Sequence, residues 1–161
     1  MAKAKVEEPV VAKERYQEAR DIVRKNMYWS MGIGLVPVPV VDFLGVMGFQ
    51  IKMLKELCGL YEVKFFKNKG KNLIAVLLGG VAPSTMSVSL GSLVKAIPLV
   101  GQTLGAVTMP VMSGASTYAV GKIFIHHFEC GGTLLTFDPE KVKEHFAKLY
   151  EEGELIAAEE K

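Results

Sequence analysis

Fifty consecutive residues, 72–121, carry a single charge, Lys95. A stretch of that length facing water needs charge along much of its outer surface, so an ordinary soluble exterior is excluded for the middle of this chain. The ends read differently. Residues 1–25 hold seven basic and five acidic side chains, and 52–71 hold six and two. Residues 122–161 hold five and nine, whereas 26–51 hold Asp42 alone. Disorder is excluded by a composition that is half hydrophobic, and nucleic-acid binding by the weak, divided basicity. With 161 residues the chain suits one domain.

Local patterning predicts helices throughout. Tyr16, Ala19, Val23 and Met27 recur at helical steps beside Glu14, Glu18, Asp21 and Lys25, an amphipathic helix within 1–30. Pro37 and Pro39 predict an extended break, because each lacks an amide donor and constrains the residue before it. Asp42 then reads as the N-cap of a helix from Phe43 to about Leu60, with Leu54, Leu57 and Tyr61 on one stripe. Residues 31–60 are thus helix, break, helix, and 62–71 a basic hinge. Further on, Cys130-Gly131-Gly132-Thr133 predicts a loop. Asp138-Pro139-Glu140 predicts a helix start with Asp as cap. Val142, Phe146, Leu149 and Tyr150 line the helix that follows, which Gly153 is expected to fray.

The uncharged block divides at Lys95 into 72–94 and 96–121. Twenty-three helical residues span about 34 Å, close to a bilayer core. Gly79, Gly80 and Pro83 break the first half, Pro98 opens the second and Pro110 interrupts it. Small residues four apart (Ser87 and Gly91; Gly101 and Gly105; Ser113, Thr117 and Gly121) match the close helix contacts of membrane bundles. The excess of Lys/Arg before residue 26 and in 52–71 places those segments in the cytoplasm and the Lys95 turn outside. Cys58 and Cys130, read as free thiols, are then expected to be shielded from an impermeant maleimide. The charged amino terminus has no secretory signal pattern.

Motifs of catalysis are missing: no GxxxxGK[ST], GxSxG, HExxH or GxGxxG occurs, so neither enzyme activity nor a cofactor is expected. His126, Glu129 and Cys130 are the only clustered metal-type ligands, spaced three and four apart on one helix face. A helix end leaving an apolar segment accounts for the same residues, and no metal is expected. Asp42 is costly at mid-bilayer depth, about 2.5–3.5 kcal/mol, so it must cap a helix or face a partner. Lys64, Lys67, Lys69 and Lys71 suit a cytoplasmic loop or anionic headgroups.

Several segments resemble a bacterial family known only as a domain of unknown function, number 697. They are Tyr28-Trp29-Ser30-Met31-Gly32 with Pro37, Pro39 and Asp42; Gln50 with Lys52-Met53-Leu54; and Leu78-Gly79-Gly80. Lys95-Ala96-Ile97-Pro98, Thr117-Tyr118-Ala119-Val120-Gly121 and Phe128-Glu129 with Gly131-Gly132-Thr133 complete the set. The resemblance covers about residues 20–150. It includes YcjF-like inner-membrane proteins and domains joined to Era-like GTPases, and so implies a helical membrane module that works with a GTPase. No GTPase motif occurs here, so that partner would act in trans. The family brings no catalytic residues with it.

The resulting expectation is an all-α bundle with a Gly/Pro-broken apolar hairpin (72–121) in the bacterial inner membrane. Its termini (1–30 and 122–161) would lie in the cytoplasm. It would be non-enzymatic, with the lipid bilayer and a GTPase as partners and no nucleic acid. One alternative is a small homo-oligomeric pore or transporter lined by Asp42 and the broken helices. Another is a soluble helical protein that buries 72–121 and inserts on a trigger.

Overall fold

The computed structural model describes residues 9–33, 39–79 and 98–160, of which 39–44 and 98–108 are described as helical backbone only. All regular structure among the described residues is helical: α1 (Pro9–Ile33), α2 (Pro39–Leu60), α3 (67–79), α4 (Pro98–Glu129) and α5 (Pro139–Glu159). The all-α expectation therefore holds.

Helix α1 runs antiparallel to both α2 and α4. Asn26 meets Glu56 and Ser30 meets Thr117, while Arg15, near the other end of α1, meets Glu129. Helices α2 and α4 consequently run parallel, joined by Gln50 to Thr117 at one level and Tyr61 to Glu129 at another. Helix α5 returns antiparallel along α4, with His145 beside His126 and Gly153 against Ala115. The stripes read from spacing are the buried ones: Ala19, Val23 and Met27 on α1, Leu54 and Leu57 on α2, Phe146, Leu149 and Tyr150 on α5. They enclose Ile123, Phe124 and Phe128, with Phe124 stacked on Phe137 at 4.5 Å. Each such side chain contributes about 1.5–3 kcal/mol by leaving water.

Helix α4 explains part of the missing charge. Its residues 113–121 and 123–125 are surrounded by α1, α2 and α5, so a charge there would be buried without a partner. The small residues serve close approach inside this bundle. A Cβ at Gly121 would occupy the space of the Val23 methyls, and one at Gly114 would come within 2.7 Å of Met31 Cγ.

The structure redraws several expected boundaries. Helix α2 begins at Pro39, not after Asp42, because a proline at the first helical position loses no hydrogen bond and arrives with helical φ. The hinge is confined to residues 61–66, and Gly70 is buried in α3, where a Cβ would lie 3.0 Å from Leu54 Cδ2. Pro98 does open α4, but Pro110 sits within a continuous helix. Gly153 does not fray α5: the helix continues to Glu159, since this glycine lets α5 touch the α4 backbone. Residues 72–79 and 113–121 of the expected hairpin belong to α3 and α4 of the bundle, and no described helix is long and apolar enough to cross a membrane. Pro37, Gly80, Pro83, Lys95 and the pair Ser87/Gly91 lie outside the described residues.

Candidate functional site: the charge-poor pole

The antiparallel arrangement gathers the carboxyl end of α1 with the amino ends of α2 and α4. Residues 34–38 carry no charge and 80–97 only Lys95, so these three helix ends are charge-poor, whereas the carboxyl end of α5, which reaches the same pole, carries Glu159 and Glu160. Just inside it lies a buried polar seam. Thr117 Oγ1 donates to Ser30 Oγ at 2.8 Å and accepts from Gln50 Nε2 at 3.3 Å. Gln50 Nε2 also reaches Ser116 Oγ at 3.0 Å, and Ser116 donates to the Ser113 carbonyl. One turn further along α1, Asn26 Nδ2 bonds the Ile22 carbonyl and Glu56 Oε2, and Glu56 pairs with Lys52 at 3.9 Å. Ser30, Asn26, Gln50 and Thr117 are completely buried, yet among the described residues Gln50 Oε1 and Asn26 Oδ1 have no hydrogen-bond partner. Such a seam fixes the register of α1, α2 and α4, because sliding any helix would orphan several polar atoms.

At the outer edge of the seam, Trp29 of α1 stacks on Phe49 of α2, centroids 6.4 Å apart and planes 8° from parallel. Trp29 remains 58% exposed, and Tyr28 and Met109 are exposed beside the same helix ends. On the α1–α4–α5 side a cleft of about 410 Å³ is lined by Arg20, Arg24, Tyr28, Tyr118, Lys122 and Glu152 among others. Arg24 bridges Tyr28 and Glu160, while Tyr118 donates to Glu152 at 2.5 Å. Burial and that carboxylate raise the Tyr118 phenol well above its ordinary range. It therefore remains a neutral hydrogen-bond donor.

The residues singled out from sequence are dispersed. Asp42 is the fourth residue of α2, so the N-cap role assigned to it is corrected. Pro39 and Pro98 begin helices, and Pro110 is buried inside one. His126, Glu129 and Cys130 stand at the opposite end of α4 from the pole. His126 Nε2 is 4.0 Å from Cys130 Sγ, but Glu129 turns away to accept from Tyr61 at 2.5 Å and to meet Arg15 at 3.8 Å. Among the described residues no three His, Cys, Asp or Glu side chains gather as a metal site. Cys58 is buried and Cys130 exposed, both as free thiols, so only Cys130 can report topology by labelling.

The seam was the feature that patterning passed over. Asn26 and Gln50 are uncharged, and Ser30, Ser116 and Thr117 read as small packing residues. A pointer was available: Asn26 falls among the positions Ala19, Val23, Met27 and Ser30 of the buried face of α1.

The family model described as Domain of unknown function (DUF697) matches residues 4–154. Magnetosome membrane protein 22 of Magnetospirillum gryphiswaldense is 36% identical over 149 residues, which cover 88% of this chain and 76% of that protein. No solved structure matches.

Proposed function

This chain belongs to the family described as Domain of unknown function (DUF697), and from that premise we propose that it is a non-enzymatic, membrane-associated helical module. The observation that carries the reading is the gathering of the charge-poor helix ends at a single pole, opposite the Arg15–Glu129 end. Similarity to a relative named a membrane protein supports it. In this reading residues 34–38 and 80–97, charged only at Lys95, meet the bacterial inner membrane, and the charged ends lie in the cytoplasm. The adaptor role, presenting the bundle to a GTPase acting in trans, rests on the family resemblance. The α1–α4–α5 cleft offers that partner a concave, mixed-charge surface.

A second reading, insertion on a trigger, is favoured by the burial of 113–121 within the bundle. Carbonate extraction separates the two: pelleting that resists carbonate supports constitutive insertion, and release into the supernatant supports the triggered form. Loss of the protein from membranes in plain buffer would overturn constitutive association and leave the triggered form alone. Purified protein is expected to hydrolyse neither GTP nor ATP. Turnover that co-purifies with the chain through successive columns would overturn the non-enzymatic assignment. Cys130 should resist an impermeant maleimide in intact spheroplasts and label after lysis; labelling from outside would overturn the cytoplasmic placement.

A further inference from the structure

From the pole inward, the surface changes character in a fixed order. On the side of α1, α2 and α3 the charge-poor helix ends come first, then the aromatic pair Trp29 and Phe49, then lysines, while Glu159 and Glu160 close α5 at the same pole. On α1 the charge nearest the pole is Lys25, on α2 beyond Asp42 it is Lys52, and on α3 it is Lys71. All three are exposed. Lys25 lies four residues from Trp29, about 6 Å along the helix, and the headgroup layer is about 5–7 Å deep on each side of a bilayer. Tryptophan favours that boundary because its ring is apolar and its N–H needs a wet partner, and lysines just beyond it meet lipid phosphates. The acids of α5 stand on the other side of α4, where Glu160 holds Arg24 and Glu152 accepts from Tyr118. The bundle is therefore polarised across its width as well as along its length.

We propose, resting on the membrane reading above, that the chain docks on an anionic bilayer with the Trp29–Phe49 pair at the headgroup boundary. Lys25, Lys52 and Lys71 then contact lipid phosphates, and the α5 side tilts away. The polar seam and everything beyond it stay out of the hydrocarbon. Trp29 is the only tryptophan, so its fluorescence reads this site alone.

The test mixes the purified full chain with phosphatidylcholine vesicles, with or without phosphatidylglycerol, and measures flotation and Trp29 emission. On phosphatidylglycerol vesicles the emission should shift to the blue, and lipids brominated near the headgroup should quench it more than lipids brominated near the chain ends. The double variant Lys25→Gln, Lys52→Gln should bind these vesicles about twenty-five-fold more weakly, about fivefold per lysine, with zwitterionic binding and helicity unchanged. Flotation with an unshifted Trp29, or strongest quenching from deep bromines, would overturn this placement while leaving membrane association intact. Equal weakening of the variant on both vesicle types would overturn the phosphate contacts. Failure to float with either vesicle would overturn the membrane reading itself.

Discussion

Helices α2 and α4 run side by side against α1, yet they are fastened differently. Helix α4 meets its neighbours through missing side chains: Gly114 and Gly121 admit α1, and Gly153 of α5 admits α4. Helix α2 meets them through polar groups, the buried Gln50 toward α4 and the part-buried Glu56 toward α1. The first kind of contact is dispersion at close range and tolerates no added atom. The second is directional, and fails when one partner is removed rather than when one is enlarged. Two parallel helices in one bundle should therefore respond to opposite kinds of substitution.

The largest effect is expected at the glycine contacts. A Cβ at position 153 would lie 2.9 Å from Ala115 Cα and 3.0 Å from its carbonyl oxygen, backbone atoms that cannot rotate aside. Gly153→Ala should cost about 2–3 kcal/mol in chemical denaturation. Gly121→Ala clashes with the Val23 side chain instead, so adding Val23→Ala should restore part of its loss. If the double variant is no more stable than Gly121→Ala alone, α1 and α4 are not in glycine contact there.

The polar seam should show the reverse. Thr117→Val keeps the shape but removes the donor to Ser30 and one acceptor from Gln50, at a cost of about 1–3 kcal/mol. Gln50→Met should cost less, because it also removes the unpartnered Oε1 and leaves Thr117 bonded to Ser30. Equal losses would mean that the seam is held by volume and not by hydrogen bonds.

A third test is confined to alkaline pH. Burial raises the Cys58 thiol from 9.0 to about 11. Between those values the unfolded chain has lost this proton and the folded chain keeps it, so stability should fall as pH rises from about 9 toward 11. Tyr150, raised to about 12 by burial and then Glu154, continues the same trend at higher pH. Cys58→Ala should flatten the first part of that slope in denaturation curves taken at successive pH values. An unchanged slope would assign it to other groups.

What could be read without the fold follows the same contrast. The stripes on α1, α2 and α5, and the Asp138 cap whose Oδ1 accepts from the Glu140 amide at 3.1 Å, are local patterns and were legible. The glycine and proline positions were legible as special but not as what they are. A proline in an uncharged run signals a break or a first helical turn equally well, and at Pro39 and Pro98 the chain starts a helix. Gly153 looked like a weak point because its partner, Ala115, is 38 positions away. The seam was hardest, since its hydrogen bonds join residues 66, 67 and 87 apart and no spacing rule connects them.

The smallest effect concerns how the two parallel helices end. At the close of α4, the Gly132 amide donates to the His127 carbonyl and the Gly131 amide to that of Phe128, with Gly131 at φ +80°. At the close of α2, Val63 donates to Cys58 and Glu62 to Gly59 in the same pattern, but the left-handed position is Glu62, at φ +55°. Glycine adopts that conformation freely, whereas a residue with a Cβ brings it close to the following carbonyl. Glu62→Gly should therefore stabilise the chain by about 0.5–1 kcal/mol, even though glycine has more freedom to lose on folding. Gly131→Ala should destabilise it by a similar amount, and there the interpretation is clean because a Cβ at 131 would meet nothing within 4 Å. Midpoints of chemical denaturation for the two variants should move in opposite directions. If Glu62→Gly lowers stability, the Glu62 side chain contributes more than its backbone strain costs, and the two helix ends are alike in hydrogen bonding only.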